Sequence, residues 1–277
     1  MRRFRTDEIL LWGAVALAFA PALAALAERW IGAEYYQHGF LVPLVSLGIA
    51  HPLLRRMGPP RREPRALLGL AAAVAGLALG VATGSATLQG LALVAALSAL
   101  VGHRWGAAGM RRLAFPLAFL LFMVPLPESW LFPVIVGLQG WVSVASVALL
   151  HAIGVAVARE GNVIRLANGD ALFVAEACSG ITSLVSLLPI GVLIARYTQD
   201  GLGRRLALVA SVVPAALLCN GIRVVATVLA ADRVGVERAT SGPLHDSAGL
   251  LTSSFAVLLV IGFGAWIGRR PADPVAA

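Results

Sequence analysis

Lysine is missing from this 277-residue chain, and charge of either sign is sparse: 13% of residues are charged against 59% that are hydrophobic. The missing lysine reads as coding composition and carries no chemistry. The sparse charge does exclude something, because a mean hydropathy of +0.85 lies far above the soluble globular range. No polar block is long enough to fold separately, so one integral-membrane domain over residues 1–277 is expected, with no separate soluble domain. Cysteine is scarce too. Cys178 and Cys219 are too few for a disulfide framework and have no metal-ligand spacing with a histidine; a bridge between the two stays open, and no metal or cofactor is expected. The chain has no HExxH pair, no serine-lysine signature and no paired intramembrane aspartates. Metallo-, serine- and aspartyl-type intramembrane cleavage therefore find no support. The Gly-rich stretch GLALGVATG lies inside an apolar run and reads as helix packing, not phosphate binding.

What is present is a series of apolar runs of near-spanning length, at 9–27, 39–54, 66–83, 86–102, 112–127, 129–153, 178–195, 206–230 and 247–267. The first is too long for a signal-peptide core and counts as a helix. The net charge of +8 comes from arginines in MRRFR, RRMGPPRREPR, HRWGAAGMRR, RYTQDGLGRR and the terminal GRR, short segments where topology explains them better than a nucleic-acid partner. Positive-inside bias puts these segments, and both termini, in the cytoplasm. Nine full crossings cannot do that. The segment 129–153, flanked by VPLPESW and carrying Pro133, Gln139, Trp141, Ser143 and Ser146, is the one expected to be half-inserted or interfacial. The expectation is an all-α polytopic membrane protein: about eight transmembrane helices, that half-inserted helix, and a small extracytoplasmic hairpin in NVIRL-ANGD-ALFV with its turn at Asn168-Gly169.

This topology brings three reactive groups to the extracytoplasmic face. Cys178 is expected in the first turn of a helix, where unpaired N–H groups and the dipole favour a thiolate; Ser179 and Gly180 follow it, and glycine lets another chain approach. A buried, inert thiol is the alternative. Arg223 lies in the outer half of an apolar helix, either as a functional charge or as a side chain snorkelling outward. Asn220 is one turn earlier on the same face, and Cys219 is assigned to packing. His245 opens the last helix, with Asp246 as a cap or as a partner for an imidazolium. A thiolate nucleophile, an acid/base and a cation for a developing oxyanion suit acyl transfer at a peptide carbonyl. Glu176 has its role open, as a partner of Arg223, a contact for a basic substrate group, or a charge that raises the pKa of the Cys178 thiol.

The residues EGNVIRL at 160–166, VAEACSGITSLVSLL at 174–188, NGIRVV at 220–225 and HDSAGL with His245 and Gly249 resemble the exosortase/archaeosortase family. YYQHGFLVPL at 35–44 and FLLFMVPLPESW at 119–130 extend the similarity over nearly the whole chain. The resemblance implies a membrane cysteine transpeptidase that processes exported proteins at a C-terminal sorting signal: a short Pro-Glu-Pro-type motif, a transmembrane helix and an Arg-rich tail. It implies Cys178 as nucleophile, Arg223 as oxyanion and substrate-orienting group, and His245 as acid/base, in a bacterial cytoplasmic membrane. The family's genes often accompany exopolysaccharide biosynthesis. Partners are then membrane-anchored substrate proteins and membrane lipid, with no nucleic acid. Tyr35, Tyr36 and His38 are expected outside, where they line a lateral groove or anchor the interface. Two other classes stand beside this reading. One is a non-enzymatic component of polysaccharide export that binds an anionic lipid or sugar phosphate through Arg223 and His245. The other is a small-solute transporter, for which the expected internal repeat is not seen.

Overall fold

The computed structural model describes residues 6–173 and 180–268, apart from the side chains of Leu244 and His245. The chain divides into two compact units, Met1–Glu128 and Ser129–Ala277. The fold is an all-α polytopic membrane protein. Among the described residues six helices are long and apolar enough to cross a bilayer, or seven if one bent pair counts as a single span.

In the first unit the expected single helix at 9–27 is that bent pair: α1 (Thr6–Ala18) and α2 (Ala20–Gly32) meet at 45°. Pro21 at the start of α2 has no N–H to give the preceding turn, and its ring crowds the carbonyl there. A 3₁₀ segment (Glu34–Phe40) leads into α3 (Leu41–Arg55), and α4 (Ala66–Ala82) follows. α5 runs over Ala86–Phe119 but holds one non-helical residue, Gly106, at φ 63° and ψ −159°. Gly106 reverses the chain. A Cβ on Gly90 would lie 3.0 Å from Val124, whereas a straight helix would separate these residues by about 50 Å. The spans expected at 86–102 and 112–127 thus form an antiparallel pair, joined by one glycine where the sequence suggests a loop. Only glycine adopts this φ without strain. Small residues bring α4 onto the first half of α5: Cβ atoms on Gly69 and Gly76 would each lie 3.6 Å from alanine methyls, of Ala99 and Ala92.

Opposite ends of this unit are closed differently. At the arginine-rich end, buried Glu8 pairs with buried Arg104, and Arg62 reaches Asp7 at 3.3 Å. At the other end Trp30 Nε1 donates to the Met123 carbonyl at 2.9 Å, the Leu126 N–H donates to the Tyr36 hydroxyl at 2.7 Å, and Arg29 pairs with Glu128.

The second unit holds α6 (Glu128–Ala152), a three-stranded antiparallel sheet, α7 (Ile181–Thr198), α8 (Leu202–Val234), α9 (Val236–Thr240) and α10 (Gly242–Gly268). The segment expected to be half-inserted or interfacial is an unbroken 25-residue helix, long and apolar enough to cross a bilayer. Gln139, Ser143 and Ser146, read from sequence as signs of shallow insertion, face inward and are buried. The C-terminal half of α6 packs on the sheet: Asn162 Nδ2 donates to Gln139 Oε1 at 2.9 Å, and Val142 and Leu150 share a core with Ile164, Leu166 and Leu172. The sheet contains the expected hairpin, β2 (Val163–Leu166) paired with β3 (Ala171–Phe173) in the register Ile164 to Leu172. At its turn Asn168 Oδ1 accepts from the Asp170 N–H at 2.9 Å and Gly169 takes φ 92°. A further strand, β1 (Val157–Glu160), pairs with the other edge of β2.

Candidate active site

α8 positions the candidate site. Its 33 residues make about 50 Å of helix, against a hydrocarbon core of about 30 Å. Arg204 and Arg205 lie in its first turn, and Arg223 follows Arg205 by 18 residues, about 27 Å along the axis. Arg223 therefore falls about one core thickness along the helix from the basic end. Beyond it the helix overhangs. Val224, Val225, Val228 and Ala231 of the overhang pack against Ile164, Leu166 and Leu172 of the sheet and Ala239 of α9. The sheet thus covers the apolar far end of α8, an arrangement driven by apolar burial.

Two glycines bring other helices to this segment of α8. Gly180 caps α7 at φ 83°, and a Cβ there would touch Asn220, itself 2% exposed, at 3.4 Å. Gly249, in the second turn of α10, faces the guanidinium of Arg223: an added Cβ would lie 3.1 Å from Nη2 and 3.3 Å from Cζ. The planar group thus lies close over the glycine, where an added side chain would make it shift by a few tenths of an ångström. Thr227 Oγ1 donates to the Arg223 carbonyl at 2.9 Å and fixes the turn below it. α7 and α10 both begin near this segment, so two positive helix ends add to the guanidinium charge. That combination attracts a developing anion.

At the opposite end of the unit Gln199, 3% exposed, donates through Nε2 to the Gly264 carbonyl at 2.9 Å, and its own carbonyl accepts from Arg205 Nε at 3.0 Å. The turn between α7 and α8 is thereby tied to α10. With both ends of the three-helix set fixed, the Asn220–Arg223 turn has defined neighbours.

Sequence-predicted residues separate into groups. Cys178, Glu176 and Ser179 lie outside the described residues, as does the side chain of His245. The helix that Cys178 was expected to open starts at Ile181, after the left-handed Gly180. His245 lies on α10 four residues before Gly249, and that spacing puts the two positions on one helix face. Asp246 is exposed and is not the cap foreseen from sequence, because α10 starts at Gly242 and leaves Asp246 in its second turn. Cys219 is 2% exposed and packs with Leu187, Leu208, Val212 and Ala256, as expected for a packing thiol. His38 belongs to the first unit, where its Nε2 bonds the Phe122 carbonyl at 3.1 Å. That bond belongs to the same closure as Trp30 and Tyr36. What sequence reasoning missed is the seat under Arg223; Gly249 entered only through its motif, since nothing local to HDSAGL names a partner 26 residues away.

No curated protein and no solved structure matches the chain. The family model for transmembrane exosortase (Exosortase_EpsH) matches residues 30–262, which takes in the first unit from Trp30 onward, the whole of the sheet, the Asn220–Arg223 turn and most of α10. With a match over most of its length, the chain belongs to the transmembrane exosortase family.

Proposed function

We propose that this exosortase is a membrane cysteine peptidase or transpeptidase acting on exported proteins at a C-terminal sorting signal. The observation that carries the reading is the pair of glycine contacts on one turn of α8. Gly180 follows Cys178 by two residues and touches Asn220; Gly249 follows His245 by four and touches Arg223. The chain segments bearing a nucleophile and an acid/base therefore reach adjacent polar side chains on one turn of α8, the first at Asn220 and the second at Arg223.

In the proposed reaction His245 takes the Cys178 proton as the thiolate attacks the scissile carbonyl. The C=O π bond becomes an oxyanion facing Arg223, with Asn220 beside it. Collapse breaks the C–N bond, and His245 returns the proton to the leaving amine. The resulting thioester passes its acyl group to water, an amine or a hydroxyl, which decides between peptidase and transferase. The substrate is a chain ending in a short Pro-Glu-Pro-type motif, a transmembrane helix and an arginine tail. Held with its arginines in the cytoplasm, such a helix presents the motif at the extracytoplasmic face. By the same bias both termini of the enzyme lie in the cytoplasm, and the resemblance implies a bacterial cytoplasmic membrane.

The test is co-expression with a tagged protein carrying that signal, followed by mass analysis of its C-terminus. Cleavage by wild type and not by Cys178→Ala supports the enzyme, and any added mass identifies the acceptor. An intact tail across several motif variants, with the enzyme folded in the membrane, overturns it in favour of a binding component of polysaccharide export.

A further inference from the structure

The arginine-rich end of the first unit contains a cavity that the proposed reaction does not use. It measures about 290 Å³ and is lined by Met57, Pro59, Arg61, Trp105, Ala108 and Arg112. We infer that it binds the phosphate headgroup of an anionic glycerophospholipid.

Its walls are built before any ligand arrives. The Arg61 N–H donates to the Arg104 carbonyl at 2.8 Å and the Glu63 N–H to the His103 carbonyl at 2.9 Å, so the loop after α3 is bridged to the Gly106 reversal. Between these bonds Arg62 is held at φ 57°, a strained conformation for a residue with a Cβ. That twist sends the Arg62 side chain to Asp7 and Glu8, while Arg61 lines the cavity. Arg112 is fixed by a 2.7 Å bond from Nη1 to the Arg56 carbonyl. Trp105 has Arg104 5.0 Å from its ring centre.

Charge gives the ligand its sign. Asp7 and Glu8 are engaged by Arg62 and Arg104, and among the described residues Arg61 and Arg112 have no carboxylate partner. Glu63 is the acid beside Gly106. It stands against Arg55, Arg56, Arg61, Arg65, Arg111 and Arg112 in the two segments that form this end. Such an excess of guanidinium groups on a rigid frame favours a bound anion. The apolar part of the wall selects the source. Met57, Pro59, Trp105 and Ala108 form an apolar flank beside the two arginines, which suits the glycerol and acyl-chain start of a lipid and gives a free phosphate nothing.

The experiment uses the full chain, purified in neutral detergent, with short-chain phosphatidylglycerol as probe and bound lipid counted by native mass spectrometry. Phosphatidylglycerol is expected to bind and to raise the thermal midpoint, while phosphatidylcholine and inorganic phosphate do neither. Arg61→Gln or Arg112→Gln should each weaken binding about tenfold, the value of one charge-assisted hydrogen bond. Arg165→Gln, in the second unit, should leave binding unchanged. Equal protection by phosphatidylcholine, or by inorganic phosphate, overturns the assignment; so does unweakened binding in the two cavity variants. Should either variant fail to fold, a photoactivatable phosphatidylglycerol on wild type decides: label within residues 57–112 supports the site, and label only elsewhere overturns it.

Discussion

Each unit places an arginine among apolar helices, and the two arginines are held in different ways. Arg104 is 5% exposed and closed by Glu8, a carboxylate equally buried, so its charge is cancelled where it stands. Arg223 is only half-buried and lies across the backbone of Gly249. A sealed ion pair fixes a fold: it gains little over an apolar pair, but losing one partner strands the other. A guanidinium seated on glycine is positioned by shape at that face, where backbone meets its plane. The contrast separates an arginine that serves structure from one proposed to serve chemistry, in the same chain and in similar helices.

That contrast can be broken by substitution, and the largest effect is expected at the chemistry. Cys178→Ala should abolish processing of a signal-bearing substrate while membrane insertion and thermal midpoint stay at wild-type values; processing at the normal rate would remove the nucleophile. Next, Glu8→Ala should cost about 3 kcal/mol of stability by stranding Arg104, read as a lower midpoint in detergent, with kcat of the surviving folded enzyme unchanged. Arg223→Lys should lower kcat about a hundredfold at normal stability, since an ammonium lacks the fork of guanidinium; Gly249→Ala should follow at about tenfold, through the displaced group. If Gly249→Ala lowered stability and left kcat alone, the seat would be packing only. The smallest effect belongs to Cys219→Ala. Removing one buried atom group should cost about 1 kcal/mol and leave processing intact.

Much of this architecture can be read from the chain itself, and the exceptions have physical reasons. Apolar length located the helices because a bilayer imposes its thickness on them. The Asn168-Gly169 hairpin was legible from turn chemistry flanked by strand-forming residues. β1 was not, since Val157–Glu160 has no two-residue alternation and pairs only because β2 offers an edge. Hydropathy marked the break between 102 and 112, yet it could not show that a single left-handed glycine makes the turn. The first helix hid its bend in the same way. For the site, Arg223 and Asn220 stood out as polar groups in an apolar helix. Their neighbours did not, because Gly180 and Gly249 have no side chain to signal a contact.

The length of α8 also makes the protein a gauge. Its first-turn arginines and Arg223 are carried on one continuous helix, about as far apart as the hydrocarbon is thick, with Pro214 between them. A thicker bilayer would draw one charge or the other into oil, and the helix would have to tilt or bend, or the membrane thin around it. Processing should therefore peak in bilayers of matched chain length and fall in longer-chain lipid, which reconstitution across a chain-length series would measure. On this account the membrane itself sets the working height of the arginine.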